Sequence, residues 1–308
     1  MIPIRTYPRT RIPAVITVSL LLLNGIAFLY TGTFSTSLEQ PQWVDASHWG
    51  EASPDQLPPA FNPRLPIRIP EDPATDGGYR HVDGRVALQL WQTGNYDFEY
   101  PVTERDYLYL RYGLISLQLW RGEDVPPTTG APIWVTLLTS MFLHGGLLHL
   151  LGNMLYLWIF GANVEAAVGR WRFLLFYLVC GLGAALFQAG VYPRATIPMV
   201  GASGAIAGVM GAYLVLFPWS RVLALVPIFY FFHLVQVPAI LMLGLWFFIQ
   251  FFSGITDLSG MGGVAWFAHL GGFFTGALLV LAFKRPGVDA GLVEWWRRRR
   301  ARHAWAGW

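Results

Sequence analysis

Cysteine is nearly missing: Cys180 stands alone in 308 residues, which excludes disulfide bridges and thiolate metal clusters. It lies inside an apolar run, where a thiol is inert, so it reads as filler rather than as a nucleophile. Lysine is as scarce, with Lys284 the single example among 21 basic residues; that looks like compositional bias and supports no further argument. Charge of any kind is thin, at 13% of residues against 54% hydrophobic, and the mean hydropathy is positive. No soluble domain of this size needs so many apolar runs of spanning length, so the chain reads as a polytopic membrane protein. The net charge of +3 says less than where the charges sit.

Residues 1–11 carry Arg5, Arg9 and Arg11 and no acidic residue. Ile12 to Tyr30 is apolar and long enough to span. It exceeds a signal-peptide core and lacks a small-x-small cleavage site, so a retained first helix over 12–30 is expected. Arginines before it and none close after it place the N-terminus in the cytoplasm. Residues 31–130 are a different material, with fourteen of the eighteen acidic residues and many prolines. They cannot be embedded, and form an extracytoplasmic insertion and interfacial loop. Gly84–Gln92 alternates weakly through Val86, Leu88 and Leu90 and predicts a strand. Tyr107–Trp120 predicts an amphipathic helix on or in the interface. So long a connection points to a small folded insertion or a functional flap.

From Ile133 onward the chain is almost wholly apolar. Helices are expected at Leu147–Val164, Phe173–Ala189, Ala202–Phe217, Pro238–Phe252 and Val264–Phe283, with Trp134–Leu143 ahead of the first across Gly145–Gly146. Val222–Val237 is ambiguous, being apolar but broken by Pro227 and flanked by Pro238. If it spanned, the C-terminus would fall outside, yet Lys284, Arg285, Arg297–Arg300 and Arg302 all follow the last helix. Positive residues belong inside, which gives six spans with both termini cytoplasmic: a core over 131–285 and a basic tail over 286–308. Beside a membrane anchor the arginine run is not read as a nucleic-acid patch.

Polar side chains inside spanning helices are costly and mark function. Four stand out: His149 and Asn153, which share a helix face at a spacing of four, Ser203 and His269. Ser203 opens Val200–Ala212, a stretch of small residues whose Gly204 and Gly208 would by themselves mean only close helix packing. With the N-terminus inside, the second, fourth and sixth helices enter from the outer side. All four polar residues then lie ~5–10 Å below that surface at a rise of about 1.5 Å per residue. A serine hydroxyl is a weak nucleophile until a base takes its proton, and histidine is the usual base. Gly204, Gly208 and Gly211, facing Gly271, Gly272 and Gly276, would permit the approach a Ser203–His269 bond needs. The Asn153 amide, the His149 ring and the free N–H groups opening the fourth helix are the candidate oxyanion donors. Asp257 lies in a connection and Glu165 at the far end of the second helix, so no carboxylate completes a triad and a Ser–His dyad is expected. The Gly-x-Ser-x-Gly elbow is absent, position 205 being alanine with no strand before it. A metal on His144, His149 and His269 lacks intramembrane Asp, Glu or a second Cys, so neither metal nor cofactor is expected.

These residues carry a resemblance. His144-x4-His149-x3-Asn153, Gly201-Ala-Ser203-Gly204, Ala268-His269-x-Gly271-Gly272, Glu165-x3-Gly169 and the Met-Ile-Pro-Ile-Arg start together resemble the rhomboid intramembrane serine proteases, over Tyr107–Lys284 and the first helix. The resemblance implies an all-α membrane protein, a six-helix bundle with its site in a water-accessible cavity opening to the outer face; the composition of residues 31–130 adds a long extracytoplasmic insertion after the first helix. Ser203 would be the nucleophile, His269 the base, and His149, Asn153 and the Ser203 amide the oxyanion donors. The partners would be the lipid bilayer and transmembrane protein substrates, cut within or beside a spanning segment, with no nucleic acid. Trp246, Phe247 and the Ser253–Trp266 cap would admit them. The organisation looks bacterial, hence plasma membrane.

Two departures stand. Ala207 occupies a position where some relatives place a ring on the histidine, and the 31–106 insertion is much longer than in most bacterial relatives. His144 reads as a structural hydrogen-bonding residue. Two other functions compete. A catalytically inactive rhomboid-like protein that binds membrane clients would have lost the serine or the histidine, and both are present. A transporter would show helices broken at the bilayer midplane or an internal repeat, and neither is seen. Nothing in the sequence speaks to the oligomeric state.

Overall fold

The computed structural model describes residues 2–7, 13–34, 36–47, 49, 58, 60–70, 79–94, 98–122, 132–228, 231–257, 263–288 and 291. Arg9, Arg11, the middle of the expected cap and the Arg297–Arg300 and Arg302 tail lie outside the described residues. In chain order the elements are β1 (Ile2–Tyr7), α1 (Val15–Thr31), β2 (Gln42–Asp45), β3 (Ile67–Pro70), β4 (Tyr79–Val82), α2 (Gly84–Gln92), β5 (Glu99–Val102), α3 (Glu104–Tyr112) and α4 (Ser116–Arg121). Then come α5 (Ile133–Thr139), α6 (Leu147–Val168), α7 (Arg170–Val191), α8 (Ser203–Leu216), β6 (Arg221–Ile228), β7 (Phe231–Pro238), α9 (Ala239–Thr256) and α10 (Trp266–Phe283). The chain forms two units: Met1–Ile26 with His144–Gln188 and Gly201–Trp308, and Ala27–Leu143 with Ala189–Val200.

Four helices among the described residues are long and apolar enough to cross a membrane: α6, α7, α9 and α10. The expected run from 12 to 30 forms α1, apolar but 17 residues long, and α8 has 14. At ~1.5 Å per residue, α8 covers roughly 21 Å, short of a bilayer core of about 30 Å. The expected core helices occur at their expected places, and α6 runs on to Val168 through a π-helical turn at Leu157–Gly161.

In the first unit α8 is the hub, buried along nearly its whole length. Its glycines seat it on α10. A Cβ on Gly272 would strike the Gly204 carbonyl, and one on Gly276 would strike the Gly208 backbone. Only backbone can come this near backbone, which is why small residues mark helix contacts where no hydrophobic effect helps. Glu165 closes the far end of α6 onto α1. Its carboxylate, 2% exposed, accepts from the Ile16 N–H (3.0 Å), the Thr17 N–H (2.7 Å) and the Thr17 hydroxyl (2.8 Å). Those amides belong to the first turn of α1, where helix donors have no partner within the helix.

Three expectations change. The chain is mostly helical but not all-α. The ambiguous Val222–Val237 neither spans nor loops: it folds as the antiparallel pair β6–β7, with Pro227 opposite Phe232, and β1 pairs with β6 to make a three-stranded sheet. A proline cannot sit inside a long helix without breaking its bonds, and an eight-residue strand near the hairpin end tolerates it. Gly84–Gln92 is a helix rather than a strand. Its buried side is Gly84, Ala87 and Trp91, a helical spacing, and Asp83 caps it by accepting from the Arg85 N–H. Tyr107–Trp120 is two short helices, because Gly113 is extended and lies against Pro198 and Val200 while Leu114 bridges to Met199.

The second unit carries a four-stranded antiparallel sheet of order β2-β5-β3-β4. It packs on a core that includes Trp49, Trp91, Phe98, Tyr100 and Leu110. Much of the 31–130 stretch is therefore folded around its own apolar centre.

Candidate active site

The site grows from two helix beginnings. Gly201 has a φ of +128°, a conformation open to glycine and strained for other residues. It turns the chain into α8, which starts at Ser203 with no side chain capping its first amides. Ser203 is half-buried. The start of α10 is held differently, by Gln188, whose Oε1 accepts from the Ala268 N–H at 3.0 Å. One residue later comes His269, also half-buried. The glycine contacts between α8 and α10 bring these two starts together and set His269 Nε2 2.8 Å from Ser203 Oγ. That is hydrogen-bond distance between a hydroxyl and a ring nitrogen.

His149 and Asn153 arrive from the first two turns of α6. A Cβ added to Gly201 would meet His149 Nε2 at 2.9 Å and Asn153 Nδ2 at 3.8 Å. Both nitrogens thus face the backbone just before Ser203, in space that exists because residue 201 has no side chain. Asn153 is 7% exposed, and its Nδ2 has no hydrogen-bond partner among the described residues. A buried amide donor without a partner is costly, and a ligand oxygen in that space would satisfy it. His144 is fully buried and packs edge-on against the His149 ring at 5.2 Å between centroids, in keeping with a supporting place. Among the described residues no group of three His, Cys, Asp or Glu side chains gathers to hold a metal ion.

The structure also adds residues that the sequence reading passed over. Gln250 of α9 places its Oε1 2.5 Å from His269 Nδ1. An amide oxygen accepts only, so this contact suits a ring that carries its proton on Nδ1 and leaves Nε2 to accept from Ser203. The signal was present in the sequence: Gln188 and Gln250 are polar residues in apolar helices, the same rule that picked out the other four. Ala207 is buried and offers no ring. The rings of Trp246 and Trp266 stand beside His269 instead, at 6.0 Å and 6.3 Å between centroids. Of the two expected gate residues, Trp246 therefore lies at the site, while Phe247 packs on Phe273 and Phe274 of α10. Glu165 lies at the opposite end of α6, bonded to α1.

Residues 131–286 match the family model described as the Rhomboid domain, a segment that holds every residue of the site. The chain is 34% identical over 167 residues to RHOMBOID-like protein 4 of Arabidopsis thaliana, covering 54% of this chain and 38% of that one. It is 38% identical over 150 residues to Rhomboid protease GluP of Bacillus subtilis, covering 48% and 26%. It is 36% identical over 105 residues to Putative rhomboid protease YdcA of the same bacterium, covering 32% and 50%. The match spans half or less of the length of each of these relatives. Because the family match takes in half of the chain and the four apolar helices lie within it, this integral membrane protein belongs to the rhomboid family.

Proposed function

We propose that the protein is an intramembrane serine endopeptidase that cuts transmembrane substrates within or next to a spanning segment through a Ser203–His269 dyad. The observation that carries the reading is the 2.8 Å approach of His269 Nε2 to Ser203 Oγ. In the reaction, Nε2 takes the hydroxyl proton as Oγ attacks the scissile carbonyl. The resulting oxyanion is met by the Asn153 amide, the His149 ring and the Ser203 N–H at the unsatisfied start of α8, where the helix dipole favours negative charge. His269 then gives its proton to the departing amine, leaving an acyl-enzyme, and the same ring activates the water that releases it. Both reacting side chains are half-buried rather than sealed, which supports access for that water.

The topology belongs to the same proposal: α1 and α8 join the four long helices as crossings, both termini are cytoplasmic, and the insertion is extracytoplasmic. The membrane is a bacterial plasma membrane. Trp246 and Phe247 of α9 form the substrate gate. The test is incubation of purified protein in detergent with a single-span reporter substrate and with a fluorophosphonate probe for the serine. Ser203→Ala and His269→Ala are each expected to lower cleavage by roughly 10⁴-fold or more while the protein stays folded. Asn153→Ala should cost up to ~10²–10³, the loss of one oxyanion donor. Cleavage surviving Ser203→Ala would overturn the mechanism. Substrate binding with no cleavage and no serine labelling would favour a client-binding role.

A further inference from the structure

We infer that Gln250 is a positioning residue of this site, a third member that holds His269 in the tautomer able to act as base. The inference rests on the protease reading and extends it from a dyad to a Ser203–His269–Gln250 triad in which Gln250 orients the base. From Ala239 to Phe252, α9 contains no amide, hydroxyl or charged side chain except Gln250. That residue is 7% exposed. A lone amide in an apolar spanning helix has few places to find a partner, and polar groups at such positions tend toward functional contacts. This one finds the ring of the candidate base, through the nitrogen that does not face Ser203.

The chemistry depends on which end of the amide faces the ring. With Oε1 accepting, the proton sits on Nδ1, and Nε2 presents its lone pair to the Ser203 hydroxyl. Turned over, the amide would donate to Nδ1, drive the proton onto Nε2 and leave Ser203 facing an N–H that cannot take its proton. The same contact steadies the imidazolium formed during attack, because Nδ1–H keeps an acceptor throughout. A partner of this kind sets the orientation and tautomer of a catalytic histidine without itself changing protonation. It also supplies what Ala207 does not. A ring at 207 could stack on His269, but stacking does not choose between its two nitrogens, and a hydrogen bond does.

The test compares Gln250→Leu, which removes the acceptor at similar size, with Gln250→Glu, whose carboxylate accepts without donating. Each is assayed for kcat, KM, the rate of fluorophosphonate labelling of Ser203 and the thermal midpoint in detergent. Gln250→Leu is expected to lower kcat and the labelling rate together by roughly 10–10²-fold with KM within about twofold, less than the ~10⁴ that follows loss of a buried carboxylate partner in serine proteases. Gln250→Glu should recover most of kcat. Wild-type kcat in Gln250→Leu would overturn the inference, as would a loss confined to KM. Equal impairment of the two variants would also overturn it, since that is how a simple packing role behaves. If Gln250→Leu does not fold, Gln250→Glu decides alone: folded and active supports the acceptor role, folded and inactive refutes it. Cleavage by Ser203→Ala would instead defeat the protease reading, so the two failures are distinct.

Discussion

Where α8 meets α10, backbone lies against backbone; in the sheet of β2, β5, β3 and β4, ring packs on ring. The first contact is built from Gly204, Gly208, Gly272 and Gly276, and the carbonyls of α8 occupy the space where side chains of α10 would be. The second is built from Trp49, Trp91, Phe98 and Tyr100, with Phe61 edge-on to Tyr100 at 5.8 Å. Different driving forces suit the two kinds of contact. In water, large apolar side chains stabilise by leaving it, at about 25 cal/mol per Å². In lipid that gain is absent, and proximity itself, through dispersion and short polar bonds, holds helices together. The lesson is that precision of approach in this chain comes from removing atoms, and the site uses the same device at Gly201.

The largest way to break the comparison is to add atoms to the glycine seam. Gly276→Leu should cost more than the roughly 1–3 kcal/mol usual for overpacking, since backbone cannot give way, and should abolish Ser203 labelling. The same kind of change where space is open sharpens the point: Gly244 has nothing within 4 Å of a Cβ, and Gly244→Ala should be neutral or stabilise by up to ~1 kcal/mol. Next is the opposite operation in the sheet unit. Trp49→Ala, at a fully buried ring, should cost about 3–5 kcal/mol, seen as easier proteolysis within the insertion. Smaller again is Glu165→Ala, which strips partners from two amides and a hydroxyl of α1. Loss of roughly 1–3 kcal/mol is expected, with faster hydrogen exchange at Ile16 and Thr17.

The smallest effect is a titration. Hydrogen bonds from the Arg85 side chain and N–H hold the Asp83 carboxyl down to about 2 from an ordinary 3.8. A depressed acid contributes its stability above its unfolded value and loses it as pH falls through the folded one. Fraying at the start of α2 should therefore begin below about pH 4 and be complete near pH 2, read by exchange at Arg85. The start of α8, with no capping side chain, has no such contribution to lose.

The apolar runs made the helices legible, and polar residues within them made Ser203, His269, His149 and Asn153 legible as a group. Other features were hidden for identifiable reasons. Val86, Leu88 and Leu90 suggested a strand because three residues cannot separate a period of two from one of 3.6, and the decisive pair, Ala87 and Trp91, lay between and beyond them. The β6–β7 hairpin was hidden because apolar composition serves a strand as well as a helix, and its pairing with β1 joins residues more than two hundred apart in sequence. Gln250 was legible in principle. Its partner was not, because nothing in a sequence says which way an amide at that position faces.

Glu165 and Thr17 are 148 residues apart in the chain, and that separation is also an interval of time. A ribosome adding about 5–20 residues per second delivers Glu165 roughly 7–30 s after Thr17. For that interval the first amides of α1 lack the carboxylate that accepts from them in the finished fold. The carboxylate then acts as a late clasp: α1 is fastened by α6, which is made after it. Any interruption of synthesis before residue 165 leaves α1 without that clasp.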